Sequence, residues 1–454
     1  MTKRSAFKHE FITLLKLAFP IYLAELSTAA VSFVDTLMAG LAGTNDLAGV
    51  AVGSSLWVGI AVFIIGLFLA VNPVVASLTG SKRHRRVQRF VQQSIWVSIF
   101  VMIMVIILFS FKGPLLSAVI DDPAVREIAS DYLFGLSFGI PAFILYAILR
   151  PYSEGISFTR PHMVSAFVGL ATNIPANYIL IFGHFGAPAL GGAGCGWATS
   201  ISLWCMLFVM LIYTHKHAAY RLTRLHQFRY KICFDDIKTL LRVGLPIAFT
   251  IFVEASIFAF ITLFLGSLPA SSIAGHQIAM SVAYILYIFP LSVSFAVSVR
   301  VGYNLGQKQP ELAKLAAWAS IALCIVIATF NASILLLQPE WIASWYTDDL
   351  VVQQMAVSLM FFAALFQVSD AIVTPIQGIL RGYYDTTMAL MMNILAYWII
   401  ALPLGYSLGL TDWITPALGA KGFWISLVIG LTVGGALLFP RFLWISREKT
   451  STEY

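Results

Sequence analysis

The chain has 454 residues, of which 59% are hydrophobic and 11% charged, and its mean hydropathy is +0.86. Soluble globular chains carry about a quarter of their residues charged, so this composition excludes a soluble fold, which would lack polar groups to cover its surface. The formal net charge of +7 gathers at the ends of apolar stretches, which marks a membrane topology and excludes a nucleic-acid surface.

The first ten residues are basic and lead into a long apolar segment without a small-residue cleavage site, so the first span is expected to be retained. A membrane helix needs about 20 mostly apolar residues. Twelve segments meet that need: 12–38, 47–78, 92–117, 130–150, 163–183, 193–213, 240–266, 273–303, 313–337, 353–380, 387–409 and 422–445. Several exceed it, which implies tilt, kinks or extension into water. Prolines fall inside many of them, at Pro20, Pro73, Pro141, Pro175, Pro246, Pro290, Pro375 and Pro403. Proline removes a backbone donor and bends a helix. Such breaks persist in membranes where neighbouring helices or a watery cavity satisfy the freed carbonyls.

With the N-terminus inside, every Lys and Arg except Lys112, Arg126 and Lys421 lies at a cytoplasmic end. The positive-inside rule then makes both termini cytoplasmic and the span count even. The basic segment from His215 to Lys238 reads as a cytoplasmic linker. An internal repeat divides the spans. At an offset of 226, Leu14–Pro20 (LLKLAFP) aligns with Leu240–Pro246 (LLRVGLP), Gly40 with Gly266, Ala48-Gly49 with Ala274-Gly275, and Gly80 with Gly306. The expected fold is therefore an all-α integral membrane protein, with twelve transmembrane helices in two pseudo-symmetric six-helix lobes, residues 1–226 and 227–454. Both lobes enter from the same side, and transporters built on such parallel repeats hold substrate between the halves.

Four acids interrupt these apolar stretches: Glu25, Asp35, Glu254 and Asp370. A carboxylate at mid-membrane costs about 2.5–3.5 kcal/mol even on lenient scales, so these four point to cation movement through the bilayer. They ignore the repeat, since Asp35 aligns with Ile261 and Glu254 with Thr28. No basic residue is expected at the depth of Glu254 and Asp370. Glu25 precedes Asp35 by ten residues, close to three helical turns, so the two are expected to face one cavity. Cys195, Cys205, Cys233 and Cys324 lack CxxC spacing and imply no disulfide or zinc site.

The stretch Phe33-Val34-Asp35-Thr36-Leu37-Met38-Ala39-Gly40 resembles the first-span motif of the multidrug and toxic compound extrusion (MATE) family, NorM-like branch. The resemblance continues in Gly194–Thr199 (GCGWAT), Phe252-Val253-Glu254, Gly275–Ile278 (GHQI) and Leu380–Thr386 (LRGYYDT), and covers residues 11–445. It implies a bacterial inner-membrane antiporter that exports cationic aromatic compounds in exchange for sodium or protons. By the same resemblance, Glu254 and Asp370 bind the coupling cation, sodium or a proton, and Tyr287 faces it. Asp35, Asn173, Asn177 and Thr199 form a polar cation-binding cluster in the N-terminal lobe, while Gln277, Ser281, Asp348 and Asp349 contact drug. Glu25 departs from the family pattern, adds a carboxylate, and is placed with the substrate-binding residues.

The implied partners are small organic cations and the lipid bilayer, with no nucleic acid, no cofactor beyond the coupling ion, and a monomeric chain. A lipid-linked oligosaccharide flippase of the same broader superfamily is the alternative, but it predicts an arginine-lined cavity where these spans carry acids. An ion channel predicts a symmetric pore or filter, which asymmetric acids in a single-chain repeat do not supply. No GxxxxGK[ST], HExxH or GxSxG motif is present, so an enzyme is not expected and transport draws on a gradient instead of ATP bound to this chain.

Overall fold

The structure is a computed structural model that describes residues 3–223, 225 and 230–451, and every regular element among them is helical. In chain order these are α1 (Lys3–Ala42), α2 (Thr44–Leu69), α3 (Val71–Gly80), α4 (His84–Ser110), α5 (Lys112–Val119), α6 (Pro123–Ser137), α7 (Ile140–Gly155), α8 (Arg160–Phe182) and α9 (Ala193–Lys216). The second half comprises α10 (Phe234–Leu265), α11 (Ala270–Gly306), α12 (Pro310–Leu337), α13 (Pro339–Ser344), α14 (Leu350–Gly382), α15 (Thr386–Asn393), α16 (Leu402–Leu410) and α17 (Ala420–Ser451). A π-helical stretch, Ile394–Ala401, joins α15 to α16.

Among the described residues, 11 helical runs are long and apolar enough to cross a bilayer, and a twelfth is formed if one bent pair counts as a span. That pair is α6 and α7, bent by 54° where the sequence predicts one helix over 130–150. Pro141 explains the break: it lies in the first turn of α7 and cannot donate a hydrogen bond back to Ser137. Gly139, at the bend, meets α9 so closely that an added Cβ would stand 2.9 Å from Ser200 Cα.

The chain packs into two compact units: Pro20–Gly244, here the N-unit, and Met1–Phe19 with Leu245–Tyr454, the C-unit. The expected boundary at 226/227 falls on residues outside those described, as do Arg224 and Arg229 of the basic linker. The units divide elsewhere, because α1 and α10, with 40 and 32 residues, far exceed one bilayer crossing. Each crosses from one unit to the other beside the proline of the repeated motif, Pro20 or Pro246.

The early turns of both helices are anchored by matching ion pairs. In the C-unit Arg300 donates to Glu10 at 2.6 and 3.0 Å; in the N-unit Arg89 donates to Asp236 at 2.6 and 3.0 Å. Glu10 and Asp236 occupy equivalent positions at the repeat offset, although their arginines do not. Helix packing uses the small residues that membrane interfaces favour. The most extensive pairing in the C-unit is α11 with α14, where Gly378 leaves space only 2.2 Å from the Ser294 carbonyl oxygen.

Candidate functional site

In the C-unit, α10 carries Glu254 and α14 carries Asp370. Gln377 Nε2 and Asn393 Nδ2 both donate to Glu254 Oε1, at 2.6 and 2.9 Å. Thr374, one turn beyond Asp370, donates its hydroxyl to Asp370 Oδ1 at 2.7 Å. Asp370 is 4% exposed, yet its Oδ2 has no hydrogen-bond partner, and neither has Asn393 Oδ1. Each carboxylate lies within electrostatic reach of the other, and of the Tyr287 and Tyr397 hydroxyls. Buried acceptor oxygens without donors are costly, and two of them, Asp370 Oδ2 and Asn393 Oδ1, belong to residues of this cluster.

Local backbone chemistry presents these groups. Pro375 follows Thr374 and removes the α14 hydrogen bond that would run back to Ala371. The π-helical stretch begins directly after Asn393 and contains Tyr397. A wide π turn is a recurrent device for re-aiming side chains at functional positions. Pro403, read from sequence as a bend, sits in the first turn of α16, just where that stretch ends.

The second cluster lies in the N-unit. Asn173 and Asn177, one turn apart on α8, donate to Asp35 Oδ1 at 3.0 and 2.6 Å, and Thr199 of α9 donates to Oδ2 at 3.2 Å. Asn177 Nδ2 also donates to Asn173 Oδ1 at 2.9 Å. The four residues that the sequence groups are thus together, with amide and hydroxyl donors around a carboxylate and one buried acceptor, Asn177 Oδ1, left without a partner. The amide nitrogens and the hydroxyl proton stabilise the anion.

Glu25 stands apart from Asp35. Arg150 donates to Glu25 through Nη2 and to Glu154 Oε1 through Nε at 3.0 Å, and His162 Nε2 lies 3.8 Å from Glu25 Oε1. The expectation that Glu25 and Asp35 share one cavity is therefore replaced by two polar sites with different partners. The ten-residue separation amounts to about 15 Å of helix. Nor is Glu25 the free carboxylate expected of a substrate contact, since a guanidinium occupies it.

Tyr287 is half-buried beside the Glu254–Asp370 pair. Gln277 and Ser281 lie one turn apart on an exposed strip of α11, where the Ser281 hydroxyl donates to the Gln277 carbonyl at 2.8 Å. Asp348 and Asp349 are exposed, and Asp349 caps α14 by accepting from the Val351 amide at 2.8 Å.

Sequence reasoning missed Gln377, Asn393, Thr374 and Tyr397 in the C-unit, and Glu154, whose side chain is fully buried. It also missed Arg381. Contrary to the expectation that no base lies near, Arg381 is buried, donates to Ser294 Oγ at 2.6 Å, and acts electrostatically on Glu254. Arg381 falls one turn after Gln377, so helical spacing from a ligand already in hand was the available signal.

Comparison with known proteins bears on the whole chain. The MatE family model matches residues 20–179 and 246–407. A probable multidrug resistance protein NorM from Idiomarina loihiensis is 42% identical over 441 residues, covering 97% of this chain and 96% of its own. The multidrug resistance protein MdtK of Photorhabdus laumondii is 41% identical, covering 96% of each. Among solved structures, the eukaryotic MATE transporter AtDTX14 superposes with a TM-score of 0.87 at 21% identity, over 98% of this chain and 99% of its own. An outward-facing multidrug resistance MATE transporter of the MOP superfamily gives 0.87 at 18% identity, over 97% and 96%.

Proposed function

Because the chain belongs to the multidrug and toxic compound extrusion (MATE) family, we propose that it is a secondary active efflux antiporter, exporting cationic aromatic compounds against sodium or proton entry. The observation that carries this reading is the set of surplus acceptors around Glu254 and Asp370. Two carboxylates and an amide oxygen in an apolar setting favour a hard monovalent cation or a proton over a soft metal. Among the described residues no group of three or more His, Cys, Asp and Glu is placed to hold a metal ion.

The coupling follows from charge. With its cation bound, the Glu254–Asp370 pair is compensated; without it, negative charge remains buried and attracts the next positive species. Gln377 and Asn393 hold Glu254 in place, Thr374 holds Asp370, and the Tyr287 and Tyr397 hydroxyls lie within electrostatic reach of both carboxylates. Exchange requires the ion and the drug to prefer different conformations; equal affinity for both states moves nothing. Gln277, Ser281, Asp348 and Asp349 are assigned to drug contact. The bilayer assigned is the bacterial inner membrane, with both termini cytoplasmic and the chain acting as a monomer.

The test is efflux of an ethidium-like dye from proteoliposomes, with the sodium and proton gradients collapsed one at a time. Collapse of one gradient should abolish export in wild type and so name the coupling ion. Glu254→Gln and Asp370→Asn should abolish export under either gradient; export that persists in both variants overturns the assignment.

A further inference from the structure

Around Glu25 the charges do not balance. Glu25 of α1 and Glu154 of α7 face a single guanidinium, Arg150, and Glu154 has no exposed side-chain surface. Asn72 of α3 donates to Glu154 Oε2 at 2.9 Å, but an amide adds no charge. Among the described residues, the charged and titratable groups seen to act on the cluster are Glu25 on α1, Tyr146, Arg150 and Glu154 on α7, and His162 on α8. One negative charge is left over in a helical bundle read as membrane-spanning, where an uncompensated charge is expensive.

His162 is placed to remove that excess. It is 1% exposed, its Nδ1 is 2.7 Å from the Tyr146 hydroxyl, and its Nε2 has no hydrogen-bond partner while standing 3.8 Å from Glu25 Oε1. A neutral ring that accepts the Tyr146 proton at Nδ1 carries its own proton on Nε2, on the side of Glu25. A charged ring keeps that Nε2–H and gains a proton on Nδ1, which it donates to the Tyr146 oxygen. The phenol serves both states by turning its hydroxyl, without moving a heavy atom.

We propose that Glu25, Glu154, Arg150 and His162 form a proton-exchange site of the N-unit, in which His162 carries the exchangeable proton beside the Arg150-bridged carboxylates. It is distinct from the Asp35 cluster. Along α8, His162 precedes Asn173 by eleven residues, about 16 Å of helix, matching the separation of Glu25 from Asp35 along α1. The proton is the ligand; no bond other than N–H is made or broken. The site does not depend on which ion binds at Glu254 and Asp370, so it stands or falls apart from the antiport reading.

The experiment is nitrogen NMR of the full chain in lipid nanodiscs, with its 8 histidines labelled on the ring. Loss of one resonance in His162→Asn, or its selective shift in Tyr146→Phe, identifies His162. Lowering the pH from about 8.5 to about 5 should convert wild type from the one-proton ring to the two-proton ring. Glu25→Gln and Glu154→Gln each remove the surplus charge and should leave the one-proton ring at both, while Glu25→Asp should retain the wild-type response. A wild-type His162 that holds one state throughout overturns the proposal without any variant. So does an unchanged response in whichever glutamine variant folds.

Discussion

Asp35 and Asp370 are both aspartates within long helices, and each has a proline-interrupted helix beside or beneath it, yet their surroundings differ in kind. Asp35 takes hydrogen bonds on both oxygens, from Asn173, Asn177 and Thr199. Asp370 takes one, from Thr374, and keeps a buried oxygen without a donor. Among the described residues each cluster leaves one amide acceptor without a donor, Asn177 Oδ1 beside Asp35 and Asn393 Oδ1 beside Glu254, but only the C-unit cluster leaves a buried carboxylate oxygen so, Asp370 Oδ2. Two repeats of one scaffold thus differ in whether the carboxylate itself is fully hydrogen-bonded, and that difference supports the C-unit as the cation site.

The sharpest way to break that comparison is to neutralise each acid and follow the ion. Any ion that binds only the folded state raises the thermal midpoint with its concentration. Sodium or acid should therefore stabilise wild type, and Asp370→Asn should abolish that response, with efflux down by about 100-fold or more. Asp35→Asn should keep the ion-dependent shift. If Asp35→Asn abolishes the response instead, the cation belongs to the N-unit and the comparison is inverted.

A smaller effect is expected one step outward. Asn393→Ala removes one of two donors that fix Glu254 and also deletes an unpartnered oxygen, so ion affinity should fall by about 10-fold with the dye's own affinity little changed. Titration of the midpoint against sodium, or against pH if the proton drives export, reads the affinity directly. Unchanged affinity would mean that Asn393 only packs, and that the surplus of acceptors is smaller than the hydrogen bonds suggest.

How much of this was legible in the sequence follows from what each signal depends on. Span count, the repeat and the acids could be read because each rests on local composition or on self-similarity. Glu254 and Asp370 stand out as charges in apolar runs. Gln377 and Asn393 do not, because they lie 123 and 139 residues from Glu254 and spans that are apolar all round carry no polar face to show which side turns inward. Glu154 was hidden by its place: it follows Arg150 and Pro151 at the end of a span, where a charge reads as interfacial, whereas the structure buries it against Asn72. The unit boundary was missed because a linker's composition marks where the chain is polar. It does not reveal that the first turns of α1 and α10 pack outside their own sequence halves.

Thr199 offers the finest test, since it asks whether the number of donors alone separates the two aspartates. Its hydroxyl is the sole side-chain donor to Asp35 Oδ2 among the described residues, and at 3.2 Å it is the longest of the three bonds. Thr199→Val keeps the branched shape and deletes that proton. Loss of one net hydrogen bond should lower stability by about 1 kcal/mol, seen as a modest fall in the thermal midpoint. More tellingly, Asp35 Oδ2 would then resemble Asp370 Oδ2, an acceptor without a donor. The variant should therefore gain ion-dependent stabilisation over wild type, and should keep part of it when Asp370→Asn is added. If the midpoint falls but no such gain appears in the double variant, donor count is not what distinguishes the sites, and the geometry set by Pro375 and the π turn after Asn393 must carry the selectivity instead.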